Sequence, residues 1–328
     1  MWLCSGCGLA QLVADGTIAE EPRGAEPAAL VNQAADAVDR AAQAGLLTAG
    51  TRVAEYGSPH GGSWLGLLAA RGLTAVGNDE QADAVLDCFG MMHAQDQLAA
   101  VASRAGRVAP GGVLLLQYHA LATIARDGQW NALRHGHYAY YSTTALTRML
   151  AGQGFCPQTA WSFDLYGGTV LLAARRVGES DEGPDESVTT LLAQDEQAGV
   201  RDASVLRGLE RNARAQARAL RDYLTAERAA GHTVIGYGAA SRAVALLRWA
   251  AVDSSLLPAV VDASPAKQGL RVPGSDIPIV SPAQLIARQP DAVLLFVADL
   301  RPEVRAAYPE VEASGARWVD AASLGGAW

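Results

Sequence analysis

An acid and two glycines fall close together in Glu55-Tyr56-Gly57-Ser58-Pro59-His60-Gly61, after the apolar Val53-Ala54 and before a helical-looking stretch from Gly62 to Arg71. Gly57 and Gly61 lack a Cβ, so the backbone there can approach a ligand closely and adopt positive φ. A helix that follows directly offers unpaired N–H groups at its start. Together these place an acid and two glycines where nucleotide-type cofactors bind, although the same glycines also mark an ordinary turn.

Four cysteines are the other residues with ready chemistry: Cys4 and Cys7 form a Cys-x-x-Cys pair, and Cys88 and Cys156 stand alone in apolar surroundings. One pair supplies two ligands where a structural zinc needs four. The expectation is therefore no bound metal, and a reduced pair in a reducing compartment.

Composition bounds what the chain can be. Its 328 residues are half hydrophobic and 18% charged, an ordinary globular mix whose length suggests two domains. No apolar run approaches the roughly 20 residues that span a bilayer, and Met1-Trp2-Leu3-Cys4 lacks the basic start and continuous apolar stretch of a signal peptide. A cytoplasmic protein is the expectation. The net charge of −8 gives no basic footprint, which argues against a nucleic-acid partner.

The elements that must position these residues follow from periodicity and punctuation. Asn32 to Ala44 is helix-like, Thr51 to Arg71 reads as strand, loop and helix, and Ala84-Val85-Leu86 is a strand. Val113 to His119 is a buried strand after the Pro110-Gly111-Gly112 turn, and Ser142 is an N-cap for a helix reaching Leu150. Thr169 to Arg175 is a further strand, and Gly178 to Glu186 reads as a solvated linker. Ala203 to Ala230 is a long arginine- and alanine-rich helix with Gly231 in the C-cap place. A second strand-turn-helix unit follows, His232 to Ile235 and then Gly236-Tyr237-Gly238-Ala239-Ala240-Ser241-Arg242, with strands at Ala259 to Asp262 and Ala292 to Val297. The alternation implies mostly parallel sheets in two α/β domains joined by a helical connector.

At this point the residues carry a resemblance. Asp262-Ala263-Ser264-Pro265-Ala266-Lys267-Gln268-Gly269, Pro273 to Ile279 and Gly236-Tyr237-Gly238-Ala239 are similar to the C-terminal domain of the deoxysugar C-methyltransferase family. Gly128-Gln129-Trp130, His135-Gly136-His137, Tyr140-Tyr141-Ser142 and Gly167-Gly168 match its central region in order and spacing, and Cys4-x-x-Cys7-Gly8-Leu9 resembles the second half of its N-terminal zinc module. The resemblance implies a truncated Rossmann-like class I methyltransferase domain, a helical connector and a second Rossmann-like α/β domain. It divides the chain at 1–40, 41–178, 179–231 and 232–328. It also implies S-adenosylmethionine as cofactor, with Glu55, Gly57, Gly61 and Asp79 lining its site, and methylation of a carbon next to a ketone on a small molecule such as a nucleotide-linked sugar. His137 would be the base and His93 its helper, with His135 and Arg134 beside them; Tyr237, Ser241, Arg242 and Lys267 would contact substrate.

Departures from the family pattern are as informative. Arg134 stands where the family has tyrosine, Gly136 where it has glutamate, and Arg242 and Ala243 where it has lysine and glycine. The family's active-site tyrosine ahead of the first strand has no counterpart, since no tyrosine precedes Tyr56. A strand ending at Asp79 and a parallel one starting near Ala84 would need a crossover of a dozen or more residues. The few available predict that a helix, an edge strand and another helix are missing. Three readings follow: a methyltransferase with altered substrate; a donor-independent isomerase, eliminase or cyclase; and a non-catalytic partner subunit.

Overall fold

The computed structural model describes residues 1–13, 27–59, 61–134, 136–178 and 183–324. His60, His135 and the middle of the expected linker lie outside them. The chain forms two compact units. Among the described residues the first holds 1–13, 28–127 and 136–206, and the second holds 27, 128–134 and 207–324. The division falls inside the long helix, and 128–134 belongs with the second unit.

The first unit begins with β1 (Trp2–Leu3) and β2 (Ala10–Gln11), followed by α1 (Ala28–Gln43). Its main sheet is built from β3 (Arg52–Gly57), β4 (Thr74–Ala75), β5 (Ala82–Cys88), β6 (Val108–His119), β8 (Phe155–Phe163) and β9 (Thr169–Arg176), in the order β4-β3-β5-β6-β9-β8. The first four strands are parallel, and β9 and β8 are antiparallel additions. Helices α2 (Leu65–Ala69), α3 (Gln97–Arg107), α4 (Leu121–Arg126), α5 (Thr143–Ala151) and α6 (Glu186–Gln197) intervene. The short β7 (Ala139–Tyr140) pairs with β2 in a separate small sheet. Val53, Ala84, Leu86, Val113, Leu115 and Ala173 alternate along the strands onto one buried face, against Val38 and Ala41 of α1, as a two-residue period requires.

Order reverses between β3 and β5: β4 lies on one side of β3 and the chain then continues on the other. In open α/β sheets such a reversal opens a ligand crevice at the strands' carboxyl ends. The crossover from β4 proves shorter than expected for a simple reason. Only Arg52 and Val53 of β3 pair with β4, and Val53 also faces Ala84 of β5. The chain therefore leaves and re-enters the sheet at one level, and no return along a full strand is needed. The expected strand ending at Asp79 stops at Ala75, and the edge strand and flanking helices are absent from the link between residues 76 and 81. Arg107, at the end of α3, donates to the carbonyls of Gly77 (2.6 Å) and Glu80 (3.1 Å), holding this link at the amino end of the sheet.

The second unit continues α7 (Ala203–Ala229) into a parallel five-stranded sheet of order β12-β11-β10-β13-β14: β10 (Val234–Tyr237), β11 (Val260–Val261), β12 (Ile279–Val280), β13 (Ala292–Leu295) and β14 (Arg317–Asp320). Helices α8 (Ser241–Trp249), α9 (Pro282–Arg288), α10 (Arg301–Ala307) and α11 (Glu310–Ala313) complete it. Its core joins Ile235, Val261, Val293 and Leu295 to Leu285 and Val304. Among the described residues no helix is long and apolar enough to cross a membrane.

Candidate functional site

The carboxyl ends of β3, β5 and β6 gather most of the first unit's chemistry. Glu55 lies within β3, and its carboxylate accepts from the Trp64 amide (2.6 Å) and the Ser63 hydroxyl (2.6 Å). Both oxygens are thus engaged in shaping the turn and the start of α2. Gly61 (φ 107°) and Gly62 (φ 88°) have non-helical backbone, so the helix expected from Gly62 begins only at Leu65. Ser58 and Gly61 close the turn through Gly61 N to Ser58 O (3.1 Å), and open space surrounds the position of a Cβ on Gly57. Facing it, Gly90 approaches so closely that a Cβ would lie 2.8 Å from the Tyr56 carbonyl oxygen and 3.0 Å from that of Gly57. Asp79 is not brought here, because its link is held at the opposite end of the sheet.

His93 follows β5, and His137 precedes β7. The Tyr138 amide donates to the Met92 carbonyl (2.7 Å), which lays the two segments side by side. The imidazoles meet edge to face, 4.8 Å between centroids at 88°. His137 is buried at 8% exposure, whereas His93 is half-buried. His93 Nδ1 lies 2.7 Å from the Gly136 carbonyl, and its Nε2 lies 3.4 Å from Ser58 Oγ. Tyr140 approaches His137 with centroids 6.1 Å apart.

Sequence reasoning missed His119, which ends β6 opposite Thr169 of β9. With Tyr118, Gln117, Asp87 and Tyr141 it lines a small internal cavity. Asp87 pairs with Arg104 at 2.8 Å and accepts from the Met91 amide. Burial pushes its carboxyl up, and the Arg104 charge opposes that shift. Burial likewise raises the Cys88 thiol well above its ordinary value, which disfavours the reactive thiolate. Phe89 (φ 59°) and Tyr166 (φ 56°) carry left-handed backbone and meet edge to face with centroids 6.2 Å apart. Aromatic residues seldom adopt that conformation, so no sequence signal announces it.

In the second unit, Gly236 and Gly238 are packing requirements: a Cβ on either would lie 2.9 Å from Phe296 or Val297. Asp262 accepts from the amides of Ala239 (2.9 Å) and Ser264 (2.8 Å). Lys267 donates to the Ala239 carbonyl (3.1 Å) and lies 3.9 Å from Asp262. This pair therefore braces the glycine turn itself. Tyr237 is 6% exposed and packs on Tyr308 and Trp318, in the core. Arg134 donates to the Ser241 hydroxyl at the start of α8, where Arg242 is half-buried. Among the described residues no three potential metal ligands cluster; Cys4 and Cys7 stand as a pair of free thiols.

Residues 164–322 match the family model of the C-methyltransferase C-terminal domain. C-methyltransferase NovU of Streptomyces niveus is 26% identical over 212 residues, covering 65% of this chain and 50% of NovU. The chain thus spans about half the length of that curated relative. Among solved structures, a Burkholderia thailandensis 1,6-didemethyltoxoflavin-N1-methyltransferase with bound S-adenosylhomocysteine aligns at TM-score 0.34 and 13% identity, over 46% of this chain and 79% of its own. The N-methyltransferase NodS of Bradyrhizobium japonicum, also with S-adenosylhomocysteine, aligns at 0.32 and 13%, over 47% and 90%. The matched domain spans β9 and most of the second unit, and with the NovU likeness it shows that this chain is similar to C-methyltransferases, most of all in its C-terminal half.

Proposed function

We propose that the protein is an S-adenosylmethionine-dependent C-methyltransferase acting next to a carbonyl on a small natural-product intermediate. The observation that carries this reading is the pairing of two imidazoles with the glycine turn at the carboxyl ends of β3 and β5. Gly57, with open space at its Cβ position, and the backbone of Ser58 and Gly61 fit the close approach of a small charged ligand. Glu55 would act indirectly, by holding the turn. When bound, the methyl sulfonium supplies an electrophilic methyl group. The imidazole pair would remove the proton beside the carbonyl; the family resemblance alone implies His137 as the base and His93 as its helper.

A second reading, a donor-independent isomerisation, elimination or cyclisation by the same histidines, draws on a specific observation. Asp79 lies at the wrong end of the sheet to hold a ribose, and the neighbouring strand is reduced to two residues. Isothermal titration with S-adenosylhomocysteine separates the two. Micromolar binding supports the methyltransferase, whereas no heat at millimolar ligand rejects it in favour of donor-independent chemistry.

A further inference from the structure

We propose that His93, rather than His137, takes the proton from the acceptor, with Gly136 setting its tautomer and Ser58 holding its Nε2 toward the cofactor turn. The assignment rests on the C-methyltransferase reading and reverses the roles that the family pattern implies.

A carbonyl oxygen can only accept, so the 2.7 Å contact between His93 Nδ1 and Gly136 O requires the proton on Nδ1. In the neutral ring Nε2 then carries the lone pair. Ser58 Oγ, 3.4 Å away, donates to it. That bond is long and correspondingly weak, so an acceptor's C–H group can replace the hydroxyl at little cost. Ser58 also belongs to the glycine turn, bridged to Gly61. The lone pair therefore faces the loop from which a methyl group would be delivered.

His137 lacks this access. It is 8% exposed, against a half-buried His93, and presents its ring to the edge or face of its neighbour. Gly136 gives the reversal a cause. Its φ of +83° falls where a side chain is strained, and this conformation aims its carbonyl at His93. Where the family has a glutamate whose carboxylate can orient a histidine, this chain has a glycine whose main-chain oxygen does so.

In the step itself the bond from carbon to its α-hydrogen breaks, and the electron pair passes into the carbonyl as an enolate. An N–H bond forms at His93 Nε2, and the resulting imidazolium later releases that proton to solvent. Ser58 and Gly136 are positioning residues; His93 is the catalytic one.

The test needs no knowledge of the acceptor. Long-range 15N–1H spectra of the histidine-labelled full chain, with His93 assigned by loss of its signals in His93→Gln, report the tautomer at mildly alkaline pH. The expected result is protonated Nδ1 and bare Nε2. Gly136→Ala should shift that ring toward the opposite tautomer, whereas Ser58→Ala should leave the tautomer unchanged. Diethyl pyrocarbonate, which attacks bare imidazole nitrogen, should modify His93 severalfold faster than His137 by peptide mass mapping, and faster still in Ser58→Ala. An Nε2-protonated His93, or earlier modification of His137, overturns the assignment. Titration with S-adenosylhomocysteine is run in parallel: absent binding rejects the methyltransferase reading while leaving the tautomer result to stand or fall separately.

Discussion

Two glycines in the first unit are required for different physical reasons, and the difference predicts different variants. Gly136 needs its left-handed backbone, while open space surrounds the place of its Cβ. Gly90 has ordinary backbone, φ −70°, but no room, because a Cβ would press on the main-chain oxygens of Tyr56 and Gly57. Backbone atoms of a paired strand cannot rotate aside as a side chain can. Gly90→Ala should therefore destabilise the protein by about 1–3 kcal/mol, the usual range for overpacking. It should also widen the crevice between β3 and β5 and weaken S-adenosylhomocysteine binding. Denaturant midpoints and calorimetry check the two effects, and unchanged binding would show that this crevice does not hold the donor. Neither requirement could be read from the residue itself: a glycine in a sequence announces freedom without saying whether conformation or space demands it. Phe89 and Tyr166 make the complementary case, since their left-handed backbones are imposed by neighbours and contradict local preference.

Local elements were legible wherever period and cap agreed. Ser142 accepts from the Ala145 amide at 3.0 Å as the N-cap of α5, Gly231 follows α7 with φ +81°, and β9 lies where its apolar run puts it, whereas β6 starts at Val108 and takes in the expected Pro110-Gly111-Gly112 turn, and β10 runs on through Gly236 to Tyr237. The reading failed at β4, where the strand was expected to end at Asp79, because pairing decides where a strand ends and only Thr74 and Ala75 find partners. Asp195 shows a further tie invisible to periodicity. From α6, buried at 1% exposure, it accepts from the Thr144 amide (2.7 Å) and hydroxyl (2.9 Å) at the start of α5. Burial is the largest influence and raises its carboxyl above the ordinary range, against the pull of these donors. A carboxyl raised in the fold binds its proton to higher pH than the unfolded chain does. Its contribution to stability is therefore fully present below the unfolded value of about 4 and declines as pH rises through the folded value. Asp195→Asn keeps an acceptor for Thr144 but cannot ionise. Urea midpoints should fall more steeply from pH 4 upward in the parent than in the variant, and parallel curves would exclude Asp195 as the source.

At the scale of the whole molecule, two α/β units were evident from the alternation of strands and helices, but their boundaries were not. Residues 128–134 sit in sequence within the first unit and in structure within the second. The side chains of Trp130 and Arg134 find their partners, Gln216, Trp249 and Ser241, far away in sequence, which no local pattern encodes. Trp130 is the anchor: it is buried, its indole N–H donates to Gln216 Oε1 (2.7 Å), and its ring lies 5.9 Å from that of Trp249. Gln216 in turn donates to the Ala321 carbonyl (3.0 Å), so one indole is linked through α7 to the last turns of the described chain. Truncation removes a large buried ring and leaves Gln216 without that donor. Trp130→Ala should cost the second unit about 3–5 kcal/mol, the range for removing a large core aromatic. Because the first unit keeps its own core, differential scanning calorimetry of the full chain should show one transition lowered and the other nearly unmoved. If both shift together, the units melt as one cooperative body, and 128–134 stabilises the whole chain instead of one half of it.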